Sequence, residues 1–215
     1  MDRLTIGKGI TRSETLLLRG GESRAWDITV CSGASLSLVI IALPGGEGKI
    51  DCEIAVQFEG EGGECLLKGL YLAGGTSSVN IKVNIVHNWP NCSSRQLFKG
   101  IVAERAHTCF FGLIKVPEKC IGTEAYQENH NLLLSDECHA QSLPQLEIYA
   151  DDVKCSHGAT FGRLGDEELF YMRSRGIPLD EARRLQMVAF ARVVLEGLPD
   201  EIAAEALAEL SHLDK

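Results

Sequence analysis

The sequence predicts an all-β core with a helical tail, on three observations. Short apolar or alternating runs fill about the first three quarters of the 215 residues. Their centres recur at roughly fifteen-residue intervals, with turn chemistry in most gaps. After Gly162 the pattern changes to that of amphipathic helices.

Taken in order, the runs are Ala34 to Ile41, Ile50 to Phe58, Cys65 to Ala73, Val79 to Val86, Leu97 to Val102, Cys109 to Val116, Ala125 to Leu134 and Leu146 to Ala150. Between them lie Pro44-Gly-Gly-Glu-Gly48, Glu59-Gly-Glu-Gly-Gly63 and Gly74-Gly-Thr-Ser-Ser78, all turn-forming. Alternation in the second run puts Cys52, Ile54, Val56 and Phe58 on one inner face, and the fourth run does the same with Val79, Ile81, Val83 and Ile85. A sandwich, a closed barrel and a parallel β-helix all satisfy this pattern. If the fold is a solenoid, two strands per coil imply a repeat of about thirty residues.

In the tail, the first helix starts at the acidic Asp166-Glu-Glu168 and ends on basic residues before Gly176, the charge order that a helix dipole favours. Arg173 to Arg175 are therefore helix-end complements first and partner contacts second. Pro178 opens a second helix with an apolar stripe of Ala182, Leu185, Val188, Ala189 and Val193. A third begins at Pro199 and Asp200, with Ile202, Ala206, Leu207 and Leu210 as its stripe.

A formal charge of −9 argues against a phosphate-binding surface and hence against nucleic acid as the main partner. The longest apolar run, Leu36 to Leu43, is too short to span a bilayer, so no membrane insertion is expected. Arg3 and Lys8 interrupt the opening residues, which therefore lack a secretory apolar region. The eight cysteines include no CxxC pair. They read as free thiols of a reducing cytoplasm, which is the expected location. Cys31, Cys52, Cys65 and Cys109 fall in or beside apolar runs and read as core, whereas Cys92 lies in a turn and reads as more exposed. No GxxxxGK[ST] loop occurs, so by that motif the chain is not an ATPase.

The segment Tyr149-Ala-Asp-Asp-Val-Lys-Cys-Ser-His-Gly-Ala-Thr160 carries the most chemistry. In a strand, Cys155 and His157 share one face, where thiolate and imidazole can take iron or another soft or borderline metal. Asp151 and Asp152 are adjacent, so a strand would send them to opposite faces, a poor geometry for a paired acid and base. That weighs against a β-helix enzyme acting on polysaccharide, the main alternative function. Cys138 is a weaker ligand candidate, because a strand would point it away from Glu137 and His139. His130 reads as a surface or interface residue.

Three blocks, Gln127-Glu-Asn-His-Asn-Leu-Leu-Leu-Ser135, Pro144 to Thr160 and Leu169-Phe-Tyr-Met-Arg-Ser-Arg-Gly-Ile177, resemble the SufB/SufD family of iron–sulfur cluster assembly proteins over about residues 95 to 195. The resemblance implies a right-handed parallel β-helix over residues 1–163 and a C-terminal helical domain over 164–215. It implies a non-enzymatic scaffold or accessory subunit of the SUF system. The helices would dock a SufC-like ABC ATPase, and the β-helix would pair with itself or with a SufB-like subunit. A transient iron–sulfur cluster or iron would be handled near that pairing interface. Cys155 and His157 match SufD positions implicated there, and Cys138 matches a cysteine of SufB-type members. Asn129 and Gly158 stand where SufB-type members carry a cysteine and a glutamate, so the chain is SufD-like. A family member that kept only protein interaction is the further alternative. The family's usual N-terminal helical domain is expected to be missing, since strands start almost at once.

Overall fold

A computed structural model describes residues 2–213. The strands are β1 (Asp2–Ile6), β2 (Thr11–Arg19), β3 (Ser23–Cys31), β4 (Ser35–Leu43), β5 (Lys49–Glu59), β6 (Glu64–Ala73), β7 (Ser78–Val86), β8 (Ser93–Val102), β9 (His107–Val116), β10 (Glu124–Leu133), β11 (His139–Ile148) and β12 (Lys154–Gly162). The helices α1 (Asp166–Ser174), α2 (Leu179–Leu195) and α3 (Asp200–His212) follow.

Odd-numbered strands form one six-stranded sheet and even-numbered strands the other, each stacked in chain order. Every pairing is parallel, with β4, β6, β8, β10 and β12 rising rung by rung in register. Thr11 lies opposite Ser35, an offset of 24 residues; later coils lengthen to 29 (Glu64 opposite Ser93) and 32 (His107 opposite His139). Parallel neighbours normally need a long crossover. Here one full coil supplies it, and the fold is a parallel β-helix; the sandwich and the barrel fall away.

Alternation builds the interior. Cys52, Ile54, Val56 and Phe58 are buried as expected, and so are Val79, Ile81, Val83 and Ile85. Each fully buried side chain of this kind contributes roughly 1.5–3 kcal/mol of transfer free energy. Corners impose their own rule: Gly75 has φ 62°, and a Cβ there would sit 2.0 Å from the Gly46 carbonyl oxygen one coil below. Only glycine meets both demands.

The runs at the ends of the solenoid escaped the sequence pattern. The strands β1, β2 and β3 carry charged residues at exposed positions and bury little, so their alternation is weak. Strand β11 starts at His139, seven residues before the expected run, and holds Pro144 near its middle. A proline is tolerated there because β11 is the last strand of its sheet.

The helices match their expected limits closely, but the buried stripe of α2 is different. Ala182, Met187, Ala191 and Val194 are buried, whereas Leu185 and Val193 are 37% and 39% exposed. A helix with apolar residues on two faces can present either, and the even-numbered sheet selects one. With Ala206 and Leu210 of α3, the buried face forms a second core against Ile41, Leu70, Leu72, Ile101 and Leu132. That explains why strands such as Ile40-Ile41-Ala42-Leu43 are apolar on both faces. Arg19 donates to both carboxylate oxygens of Glu205 at 2.8 Å, and Lys99 Nζ donates to the Phe190 carbonyl at 2.9 Å while lying over its ring.

Three cysteine expectations are corrected. Cys92 is buried, its thiol donating to the Gly60 and Pro90 carbonyls, because the corner turns it into the main interior cluster. Cys31 and Cys109 are only half-buried; Cys109 is on the outward side of β9, opposite the interior Phe110. Cys52 and Cys65 are core, and burial pushes both thiols up to about 12. Such thiols are inert.

Candidate open-end ligand site

Strand β12 is the last rung of the even-numbered sheet. It pairs with β10 so that Cys155 lies opposite Ala125 and His157 opposite Gln127. Ala125 and Gln127 are buried interior residues, and in-register parallel neighbours present their side chains to the same face. Cys155 and His157 therefore share the interior-facing side of β12, at the open end of the solenoid. Two strand residues apart, their Cα atoms are separated by about 6.7 Å.

Their environments differ. Cys155 is half-buried against the small apolar cluster of Ile114, Val116, Cys120, Ala125 and Ala150. Desolvation raises its thiol pKa, partly countered by a backbone hydrogen bond from Ala125. As a lone thiol it resists ionisation; a metal ion would supply the positive charge that favours the thiolate. His157 is exposed. Gly158 beside it faces open space, with nothing within 4 Å of where a Cβ would stand.

Cys138 lies elsewhere. It follows the bend at residues 135–137 and lies outside any strand, just before β11, where it is buried and donates its thiol to the Ser135 carbonyl at 3.3 Å. Cys155 packs near the other end of β11, beside Leu146 and Ala150, and ten residues at about 3.3 Å each put the two thiols roughly 30 Å apart. The structure brings Cys155 and His157 together and leaves Cys138 out. Asp151 and Asp152 lie in a bend, exposed at the corner before β12. His130 is on the outer face of β10, where its Nδ1 meets Thr160 Oγ1 of β12 at 2.7 Å and its Nε2 meets Glu128 at 3.0 Å.

Beneath β12 the interior turns polar, which sequence reasoning missed. Tyr71 donates its hydroxyl to Asn131 Oδ1 at 2.6 Å, Asn131 Nδ2 donates to Asn129 Oδ1 at 2.9 Å, and Asn129 Nδ2 donates back to the Tyr71 oxygen at 2.9 Å. The ring closes over Gly100, where a Cβ would lie 2.0 Å from the Tyr71 ring. Gln127 Nε2 donates to Gln96 Oε1 at 2.9 Å. The signal was present in the alternate amides Gln127, Asn129 and Asn131, each an inward position of β10.

Cargo iron can be tested against this donor set. Among the described residues no group of three or more His, Cys, Asp and Glu side chains converges to hold a metal. Cys155 and His157 are chemically suited to iron, but two donors do not close a four-ligand site.

A solenoid with stacked parallel rungs and a helical flank on one sheet defines the class: a parallel β-helix protein with a C-terminal helical segment. Residues 27–190 match the family model described as SUF system FeS cluster assembly, SufBD core domain. The chain is 42% identical over 147 residues to the iron-sulfur cluster assembly protein SufD of Escherichia coli, covering 68% of this chain and 35% of that protein. It is 36% identical over 185 residues to an iron-sulfur cluster assembly SufBD family protein of Synechocystis, covering 86% and 38%. A SufBD family protein of Mycobacterium leprae is 34% identical over 166 residues, 73% and 42%. The chain belongs to the SufBD family of iron–sulfur cluster assembly proteins. It spans well under half the length of these relatives.

Proposed function

We propose that the chain is a non-enzymatic accessory subunit of SUF-type assembly, offering Cys155 and His157 as half of a site for nascent cluster or iron. The observation that carries this reading is their shared interior face on β12, a strand with no further neighbour in its own sheet among the described residues. Free backbone donors and acceptors on a terminal strand invite pairing with another strand. A second copy or a SufB-like subunit docked there would add the missing ligands. Asn129 favours the second: where SufB-type members carry a cysteine, it is buried and committed to Tyr71 and Phe98.

Residues 164–215 act in this reading as the docking unit for a SufC-like ABC ATPase in the cytoplasm. The support is an exposed apolar strip, with Phe170 76% and Tyr171 59% exposed beside Leu185 and Val193. A groove of about 500 Å³ between α1 and α2 is floored by Met172 and Ala189 and rimmed by Glu167 and Glu168.

The experiment is an anaerobic pull-down from native extract, with iron and sulfide assays on the eluate. Recovery of an ABC ATPase together with iron is expected. His157→Ala should lower bound iron and sulfide while the circular dichroism spectrum stays that of wild type; unchanged iron and sulfide would remove His157 from the site.

A further inference from the structure

One interior column of the even-numbered sheet reads Leu38, Leu67, Gln96, Gln127 and His157 from rung to rung. Gln96 and Gln127 are 3% and 1% exposed. The Gln127 amide nitrogen is committed downward, to Gln96 Oε1. Its carbonyl oxygen is buried and has no hydrogen-bond partner among the described residues, His157 included. Such an acceptor is costly to leave unmade.

Stacked glutamines on parallel, in-register strands form ladders in which each carbonyl accepts from the rung above. Here the rung above Gln127 is His157. Directly across the interior the opposite sheet offers no side-chain donor. Gly112, whose Cβ would stand 2.1 Å from Gln127 Nε2, has none, and its register partner on the last odd rung is Pro144. The hydroxyl of Ser142, buried and without a partner among the described residues, lies two residues away along β11.

We propose that Gln127 is a positioning residue for His157: when the exposed ring turns inward, Gln127 Oε1 accepts the N–H of one ring nitrogen and so fixes the other as the free lone-pair donor at the open end. The tautomer of an imidazole is set by the bond its second nitrogen makes, and loss of such a partner weakens metal binding by about 10- to 100-fold. The consequence for iron rests on the assembly reading above; the tautomer itself does not.

The test is ¹⁵N NMR of the His157 ring in the full chain at pH 8.5. Wild type should show one dominant tautomer and a slowly exchanging ring N–H. Gln127→Met, close in shape but without an acceptor, should give mixed tautomers and a fast-exchanging N–H. Gln127→Glu, which keeps the acceptor, should restore the wild-type pattern. A wild-type spectrum already showing mixed tautomers overturns the proposal, even if the methionine variant fails to fold; so does a Gln127→Met spectrum identical to wild type. Anaerobic ferrous-ion titration separates the two readings. Iron binding about tenfold weaker in Gln127→Met supports the positioning role. Equal binding by wild type and His157→Ala would sink the iron-site reading and leave the tautomer result standing.

Discussion

The coil built on β4 and the coil built on β10 share rung geometry and have opposite interiors. The inward positions of β4 are Leu36, Leu38, Ile40 and Ala42; their register descendants on β10 are Ala125, Gln127, Asn129 and Asn131. All eight are buried. The early coil is stabilised by apolar burial alone, while the late coil meets the same dryness with amides that must bond to one another. It therefore stays solid below the last rung and still presents polar groups toward it. A leucine column would end blindly under β12; an amide column ends in an unpaired acceptor.

The comparison can be broken first at the early coil. Leu38→Ala opens a cavity between rungs that cannot collapse independently, and urea unfolding should report a loss of about 2–5 kcal/mol. A loss below about 1 kcal/mol would mean that the stacked rungs relax around voids, contrary to a close-packed interior.

The corner where the two interiors meet holds His87, fully buried, stacked on Phe58 at 4.6 Å and hydrogen-bonded through Nε2 to Ser94 Oγ. Burial pulls its pKa down from 6.5 to about 4. The unfolded chain therefore binds this proton more readily than the folded one. Stability from keeping His87 neutral is present above pH 6.5 and is lost as pH falls toward 4. The amount is on the order of 3 kcal/mol. Equilibrium unfolding of His87→Phe should show a flatter profile across that window, and a profile parallel to wild type would mean that His87 does not titrate late.

At the late coil, Tyr71→Phe removes the hydroxyl that closes the amide ring. It leaves Asn129 and Asn131 each short of a partner, for a cost of about 1–3 kcal/mol by urea unfolding. No measurable cost would indicate that water, rather than the ring, satisfies the amides, and the two interiors would differ in hydration instead of bonding.

Much of this was legible in the sequence. The apolar alternation of Ile50 to Phe58 and Val79 to Val86 named its inward residues correctly, because a strand's two faces are fixed by local backbone geometry. The helix limits were marked by Asp166, Gly176, Pro178 and Pro199, which act through capping and dihedral constraints within a few residues. Cys155 and His157 could be placed on one face by the same rule. The buried face of α2, the inward folding of Cys92 and the distance of Cys138 from Cys155 could not be read this way. Each depends on what lies across the interior or against the sheet.

The sequence by itself determined which side of the central strands is wet, where helices replace strands, and that Cys155 and His157 share one face of the last strand. Only the tertiary structure decided what each interior residue stands upon. Alternation has a period of two residues and is enforced by covalent geometry, whereas stacking joins positions 24 to 32 residues apart and depends on corner lengths that vary from coil to coil. A one-residue change at the corner before β12 would slide His157 off Gln127.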